Sequence, residues 1–134
     1  MVSAVIFVAT SCVSPLTGFA FWETNLAYEG ESIYNYLQVK NLFDRTILST
    51  NVLFGVQSVT MKDKGLTGMY YDTALAAPAL ADNANSALIL GMGTGTYARQ
   101  LKQYYPKMNI TGVEIDQKIT DLAGEYFDEP PTSP

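Results

Sequence analysis

Apolar positions along the chain fall into blocks of different period. Met1 to Trp22 carries no charge, and its length matches the ~20 residues that a helix needs to cross a bilayer. From Glu31 the pattern turns to alternation, with Ile33, Tyr36 and Val39 among polar residues, then Thr46–Thr50, then Val52–Thr60. Asn41–Arg45 and Ser49–Asn51 supply turn chemistry between these runs. A small antiparallel meander is therefore predicted over residues 29–69, closing in the charged, glycine-containing loop Met61–Gly68.

Tyr70–Ala81 is rich in Ala and Leu and predicts a helix that Pro78 kinks or shortens, with Asp82–Ser86 as its break. Ala87–Leu90 is short and wholly apolar, the pattern of a strand buried on both faces. After Gly91–Thr96, residues Tyr97, Ala98, Leu101 and Tyr105 share one helical face, and Arg99, Gln100, Lys102 and Gln103 take the other. Asn109–Glu114 reads as a second strand, and Asp116 can cap a helix whose Ile119, Leu122, Ala123 and Tyr126 share a face. Strand, glycine turn, helix, strand, helix implies a right-handed crossover and a parallel pair, which sets the glycine turn beside the end of the second strand. The expected class is α/β: the meander, then a truncated Rossmann-like parallel sheet over residues 70–134. The tail Asp128–Pro134 has three prolines and no apolar anchor, and reads as frayed or as a cut end.

Residues 1–28 are read as an apolar leader or a transmembrane segment. Ser3, Thr10, Ser11, Ser14 and Thr17 dilute its apolar character, while Pro15 and Gly18 are tolerated in lipid. Phe19, Phe21 and Trp22 cluster just before Glu23, as in an aromatic belt at a membrane interface. A secretory signal fits less well, because no basic residue precedes the apolar run. A core-facing segment of a larger protein is the alternative. The expected location is a membrane-associated protein with a cytoplasmic domain, or the cytoplasm.

Composition narrows the chemistry. Eight Lys or Arg stand against 13 Asp or Glu, the formal net charge is −5, and no basic run occurs, so nucleic acid is not an expected partner. There is no histidine, and Cys12 is the one cysteine, which excludes His-based triads, His or Cys zinc sites and an intramolecular disulfide. No metal is expected. Carboxylates, hydroxyls, amides and the backbone remain.

A glycine-rich turn between strand and helix lets the backbone approach a ligand closely and aims free N–H groups and the positive helix end at it. Glu114 ends the second strand 23 residues after Gly91, where an acid can accept hydrogen bonds from both hydroxyls of a ribose. Together they point to a nucleoside ligand. A dinucleotide site would want GxGxxG, but the third residue after Gly93 is Thr96, and GxGxG is the spacing of S-adenosylmethionine-type sites. On the residues alone, the glycines could instead form only a tight turn.

Glu31–Val39, Leu53–Gln57, Tyr70–Leu75 with Pro78, Leu88–Thr96 and Gly112–Asp116 resemble, in the same order, successive blocks of the spermidine synthases, the polyamine aminopropyltransferases. The resemblance spans about residues 29–128 and is closest to a bacterial branch in which this domain follows membrane helices. It implies a methyltransferase-like fold, a meander that covers the site and mediates subunit contacts in a homo-oligomer, and decarboxylated S-adenosylmethionine as co-substrate. It also implies that Gln57 touches the nucleoside, that Gly91, Gly93 and Gly95 cradle the methionine-derived chain, and that Glu114 holds the ribose. Tyr70 and Asp72 fall to the side of the diamine, a putrescine-like acceptor.

Departures from the family pattern bear on specificity. Tyr34-Asn35 stands where the family has YQ, Phe54 replaces an acid, Thr94 replaces an Asp, and an acidic pair before Tyr70 is missing. Ammonium groups require opposite charge or full hydrogen bonding when buried, and a neutral Thr94 removes a repulsion toward the carboxylate of ordinary S-adenosylmethionine. A methyltransferase or S-adenosylmethionine-binding module is therefore the second expectation, and a noncatalytic membrane-anchored interaction domain the third. The family's catalytic Asp would lie beyond Pro134, and Asp121, Asp128 and Glu129 do not match it, so the chain assigns no catalytic residue and reads as the N-terminal portion of a larger enzyme, inactive alone.

Overall fold

Alternation between residues 36 and 61 becomes three of four strands in one antiparallel sheet: β1 (Leu26–Glu31), β2 (Tyr36–Asn41), β3 (Arg45–Thr50) and β4 (Val56–Met61), in that order. The structure is a computed structural model that describes residues 18–20, 22–51 and 55–127. Val39 stands opposite Leu48 and Leu37 opposite Thr50, so the apolar side chains of β2 and β3 share one face. Two boundaries differ from the sequence expectation. Ser49 lies inside β3, buried, and the turn starts at Asn51, which adopts the left-handed conformation (φ 57°) that asparagine tolerates better than most residues. The edge strand β1 falls in what was read partly as leader, because Leu-Ala-Tyr-Glu-Gly-Glu has little alternation and its pairing to β2 is made by the backbone.

Tyr70–Ala81 does not form one helix. It divides into α1 (Tyr70–Ala74) and a 3₁₀ turn at Ala77–Leu80, with Pro78 in the opening turn, where its missing N–H is not needed. The parallel pair is present: β5 (Ser86–Leu90) runs beside β6 (Asn109–Val113), with Ser86 opposite Asn109 and Leu90 opposite Val113. Between them lies α2 (Thr96–Tyr104), whose Leu101 is buried. After β6, Asp116 caps α3 (Gln117–Leu122) by accepting the Lys118 N–H at 3.0 Å, and a π-helical turn continues to Phe127.

One core unites the two halves. Leu37, Val39 and Leu48 of the meander pack with Ile119, Leu122 and Phe127, so the last helix of the parallel part closes the antiparallel part. Each such side chain contributes about 1.5–3 kcal/mol on full burial. The expectation that β5 is buried on both faces is corrected: Leu88 and Leu90 are 64% and 75% exposed, while Ala87 and Ile89 are half-covered. Among the described residues the pair has cover on one face alone. Gln100, placed by periodicity on the polar face of α2, is buried because its amide donates to Asp72 Oδ1 at 2.8 Å.

The expected membrane span lies outside the described residues except at its end. There, residues 18–20 and 22 form turns, the Ala20 N–H donates to Glu29 Oε1 at 2.9 Å, and Phe19 packs edge-on against Trp22 and Tyr36. Among the described residues no helix is long and apolar enough to cross a membrane.

Candidate functional site

Three glycines with positive φ make the β5–α2 turn: Gly91 (73°), Gly93 (58°) and Gly95 (81°). At Gly93 the requirement is double, because a Cβ there would also sit 2.7 Å from Ser58 Oγ on β4. The turn is therefore pressed against the meander. At Gly112 on β6 the Met92 side chain crosses the space a Cβ would take, with Sδ 1.9 Å from it, so a side chain there would displace Met92.

The N–H groups of this turn are not free, contrary to the sequence expectation. Those of Gly91 and Met92 donate to the Val113 carbonyl at 2.9 and 3.0 Å, that of Thr94 to Ser58 Oγ at 3.3 Å and that of Gly95 to the Met92 carbonyl at 3.1 Å. The Gly93 N–H donates to Glu114 Oε2 at 2.7 Å, and the other carboxylate oxygen accepts the Asp116 N–H at 3.0 Å. Glu114 is thus held at the end of β6 with each oxygen fixed by one backbone donor. Each oxygen keeps a further lone pair for an incoming hydroxyl.

Gly93, the donor to this carboxylate, also lines a cleft of about 210 Å³, with Gln57, Tyr70 and Gly91 and with Ser58, Tyr71, Met92 and Tyr97. Four residues singled out from the sequence therefore meet on one surface. Tyr70 is 76% exposed and stacks edge-on against Tyr71 with ring centres 5.0 Å apart. Tyr71 accepts the Val59 N–H at 3.0 Å and Tyr97 donates to the Ala74 carbonyl at 2.9 Å, and burial pushes both phenols up from their ordinary pKa. Gly95 lies behind the cleft as the N-cap of α2. Among the described residues no carboxylate lines the cleft.

Asp72 faces elsewhere. Its carboxylate accepts from Thr67 Oγ1 at 2.9 Å, from the Gly68 N–H at 2.6 Å and from Gln100 Nε2 at 2.8 Å, beside a separate hollow lined by Leu66, Leu75 and Tyr105. Burial alone would raise its pKa, but the bonds from Gln100, Thr67 and Gly68 outweigh it and hold the carboxyl below the usual range. Thr94, at the position where the family has an Asp, is buried away from the cleft, 3.4 Å from Thr96 Oγ1 through its hydroxyl, and its carbonyl accepts from Arg99.

Sequence reasoning missed Ser58, Met92 and Ser32. Ser58 and Met92 carry no local signal, since their roles arise from packing across strands. Ser32 stands in the first resembling block but has no motif of its own, and it donates to Asp116 Oδ2 at 2.6 Å.

No protein-family model matches the chain. It is 96% identical over all 134 residues to a probable polyamine aminopropyl transferase of Bifidobacterium longum, of which it spans 30%. A polyamine aminopropyltransferase of Alkaliphilus metalliredigens is 37% identical over 76 residues, 56% of this chain and 26% of that protein. Among solved structures, a probable spermidine synthase from Corynebacterium glutamicum superposes with a TM-score of 0.60 at 22% identity, over 79% of this chain and 41% of that one. That likeness establishes the fold: an antiparallel sheet followed by a Rossmann-like, methyltransferase-type parallel sheet. With 96% identity over all of its 134 residues to part of the Bifidobacterium protein and the five sequence blocks in order, the chain belongs to the polyamine aminopropyltransferase family, the spermidine synthases among them.

Proposed function

We propose that this chain supplies the nucleoside-holding part of an aminopropyltransferase site, taking decarboxylated S-adenosylmethionine with its ribose on Glu114 and its sulfonium end in the cleft beside Gly91 and Gly93. The observation that carries this is the Glu114 carboxylate, fixed by the Gly93 and Asp116 N–H groups, with Gly93 itself on the wall of a cleft that Gln57 and Tyr70 also line. The lining suits the ligand: Met92, Ile89 and the rings of Tyr70, Tyr71 and Tyr97 offer apolar surface to a thioether or a propyl chain. Bound there, the co-substrate offers a carbon beside a sulfonium to an attacking amine.

What the residues of this chain do in that reading is align and exclude water. Gln57 lies within the cleft for a polar group of the nucleoside, and Tyr70 lies at its open edge on the side of a putrescine-like diamine. Among the described residues no base for the attacking amine lines the cleft, and we expect no turnover from the 134 residues alone. Asp72 supports the α1 end of the cleft through Thr67 and Gln100. Subunit contacts through the meander belong to the same proposal.

Thermal shifts with decarboxylated S-adenosylmethionine, S-adenosylmethionine, methylthioadenosine and NAD test it, in wild type and Glu114→Ala. Stabilisation by the first and third, absent with NAD and abolished by the substitution, is the expected outcome. Stabilisation that survives the loss of Glu114 would sink the ribose assignment. A larger shift with the carboxylated ligand would move the reading to a methyl donor, for which a cleft lined by no carboxylate among the described residues gives a reason.

A further inference from the structure

The β1–β2 turn and the end of β6 lie 81 to 84 residues apart in sequence, yet one buried carboxylate joins them. Asp116, 2% exposed, accepts from Ser32 Oγ at 2.6 Å and from Asn35 Nδ2 at 3.1 Å on a single oxygen, while its other oxygen caps α3. The serine is itself oriented. Its oxygen accepts the N–H groups of Tyr34 at 3.1 Å and Asn35 at 2.9 Å, and its proton has the Asp116 carboxylate at 2.6 Å as a nearer acceptor than the Asn35 carbonyl at 3.4 Å. Asn35 is braced from behind, since its Oδ1 accepts from Asn51 Nδ2 at 2.7 Å, and Asn51 Oδ1 accepts the Tyr36 N–H at 2.9 Å.

On its other side, Asp116 reaches the candidate site through its own backbone. Its N–H donates to Glu114 Oε1 at 3.0 Å, and Glu114 Oε2 takes the Gly93 N–H at 2.7 Å. A continuous run of hydrogen bonds thus leads from Asn51 in the turn after β3, through Asn35 and Asp116, to Glu114 and the glycine turn. Capping a six-residue helix needs only the Lys118 bond. The two donors from the meander do something further: they fix the path of residues 114–116, and with it the direction of the Asp116 N–H. Hydrogen bonds to a buried carboxylate are the stronger kind, so the clamp can hold that geometry.

We propose that Asp116, clamped by Ser32 and Asn35, is a positioning residue that sets the Glu114 carboxylate for the two ribose hydroxyls. The antiparallel meander thereby governs nucleoside affinity through a contact remote from the nucleoside's base and sulfur. This rests on the reading of Glu114 as the ribose acceptor.

Calorimetric affinities of the 134-residue chain for methylthioadenosine and for its 2′,3′-dideoxy counterpart test it, in wild type, Glu114→Gln, Ser32→Ala, Asp116→Asn and the Ser32→Ala/Glu114→Gln double variant. Ser32→Ala and Asp116→Asn are expected to weaken methylthioadenosine about fivefold to tenfold, the scale of one lost hydrogen bond. The dideoxy ligand, with no hydroxyls to present, should change by less than about twofold, and Ser32→Ala should add little on top of Glu114→Gln. Equal weakening of both ligands, or full additivity, overturns the positioning role and leaves Asp116 a general support of the fold. Unchanged affinity in Ser32→Ala overturns it too, and that variant carries the test if Asp116→Asn does not fold. Should Glu114→Gln leave methylthioadenosine unaffected, or should the wild-type chain not bind it, the ribose assignment falls first and this inference with it.

Discussion

Beneath α3 the antiparallel sheet buries Leu37, Val39 and Leu48 completely, whereas neither strand of the parallel pair has one buried residue. The two sheets have different needs. An antiparallel meander is stable with one face on a core and the other in water, but parallel strands call for cover on both faces. Among the described residues the parallel pair has one cover, whereas the centre of the meander has two, since Gln38 and Ser49, on the face opposite Leu37, Val39 and Leu48, are buried as well. The candidate site sits on the seam between them: Ser58 of the meander accepts the Thr94 N–H of the glycine turn, and Ser32 holds Asp116 at the end of β6. A well-packed sheet therefore braces the loop and the carboxylate that a sparsely packed sheet carries.

The contrast breaks most sharply at Leu48. Its side chain is fully buried between β2 and α3, so Leu48→Ala should cost about 2–5 kcal/mol in urea denaturation, transfer and cavity terms together. A cost under about 1 kcal/mol would mean that α3 does not lie on the meander in solution. The substitution should also loosen Asp116, which caps that same helix, so methylthioadenosine affinity should fall with stability.

What the sequence disclosed of this architecture was what local pattern controls. The strands β2 and β3, the β5–glycine–α2 order, β6, the Asp116 cap and the shortening of the helix in the 70–81 segment ahead of Pro78 all follow from neighbours within a few residues. Gln57, Tyr70, Gly91 and Gly93 were legible through the resembling blocks, and the fold gathers them at one cleft. Distant partnerships were not legible. Gln100 reads as a solvent-facing residue until Asp72 is folded against it, and Ser32 carries no signal of its own until the chain after β6 delivers Asp116 to it. The glycine turn misled in the opposite sense: its spacing suggests open N–H groups, but Val113, Ser58 and Glu114 take them up, which only the pairing of β5 with β6 and the approach of β4 could reveal.

Acid should act on the seam before it acts on either core. Burial alone would raise the pKa of Asp116, but the bonds from Ser32 and Asn35 and from the Lys118 N–H more than offset it, and the carboxyl sits below its ordinary 3.8. Asp72 is lowered in the same way. With folded values depressed, the unfolded chain takes up protons first as pH falls, so this stability is fully present above the unfolded pKa and is lost as pH drops through the folded ones. Denaturation midpoints followed from pH 7 to below pH ~4 should decline, and Asp116→Asn should cost about 1–2 kcal/mol at pH 7 and flatten part of that decline. An unchanged slope in the variant would show that Asp72 and the remaining acids carry the acid response, and that the clamp contributes little to holding the two sheets together.

The smallest effect should come from the open face of the parallel pair. Leu88 is 64% exposed and Leu90 beside it on that face is 75% exposed, so truncating either removes little buried surface. Leu88→Ser should therefore change stability by no more than about 0.5 kcal/mol, against several at Leu48, although both are leucines at the centre of a strand. That inequality is what the comparison of the two sheets asserts in measurable form. If Leu88→Ser instead costs 2 kcal/mol or more in the same urea titration, the outer face of β5 is packed in solution, and the parallel pair is as well supported as the meander. A small cost paired with unchanged methylthioadenosine affinity would place the stiffness of the site where the hydrogen bonds put it: in Ser58, Ser32 and the sheet behind them.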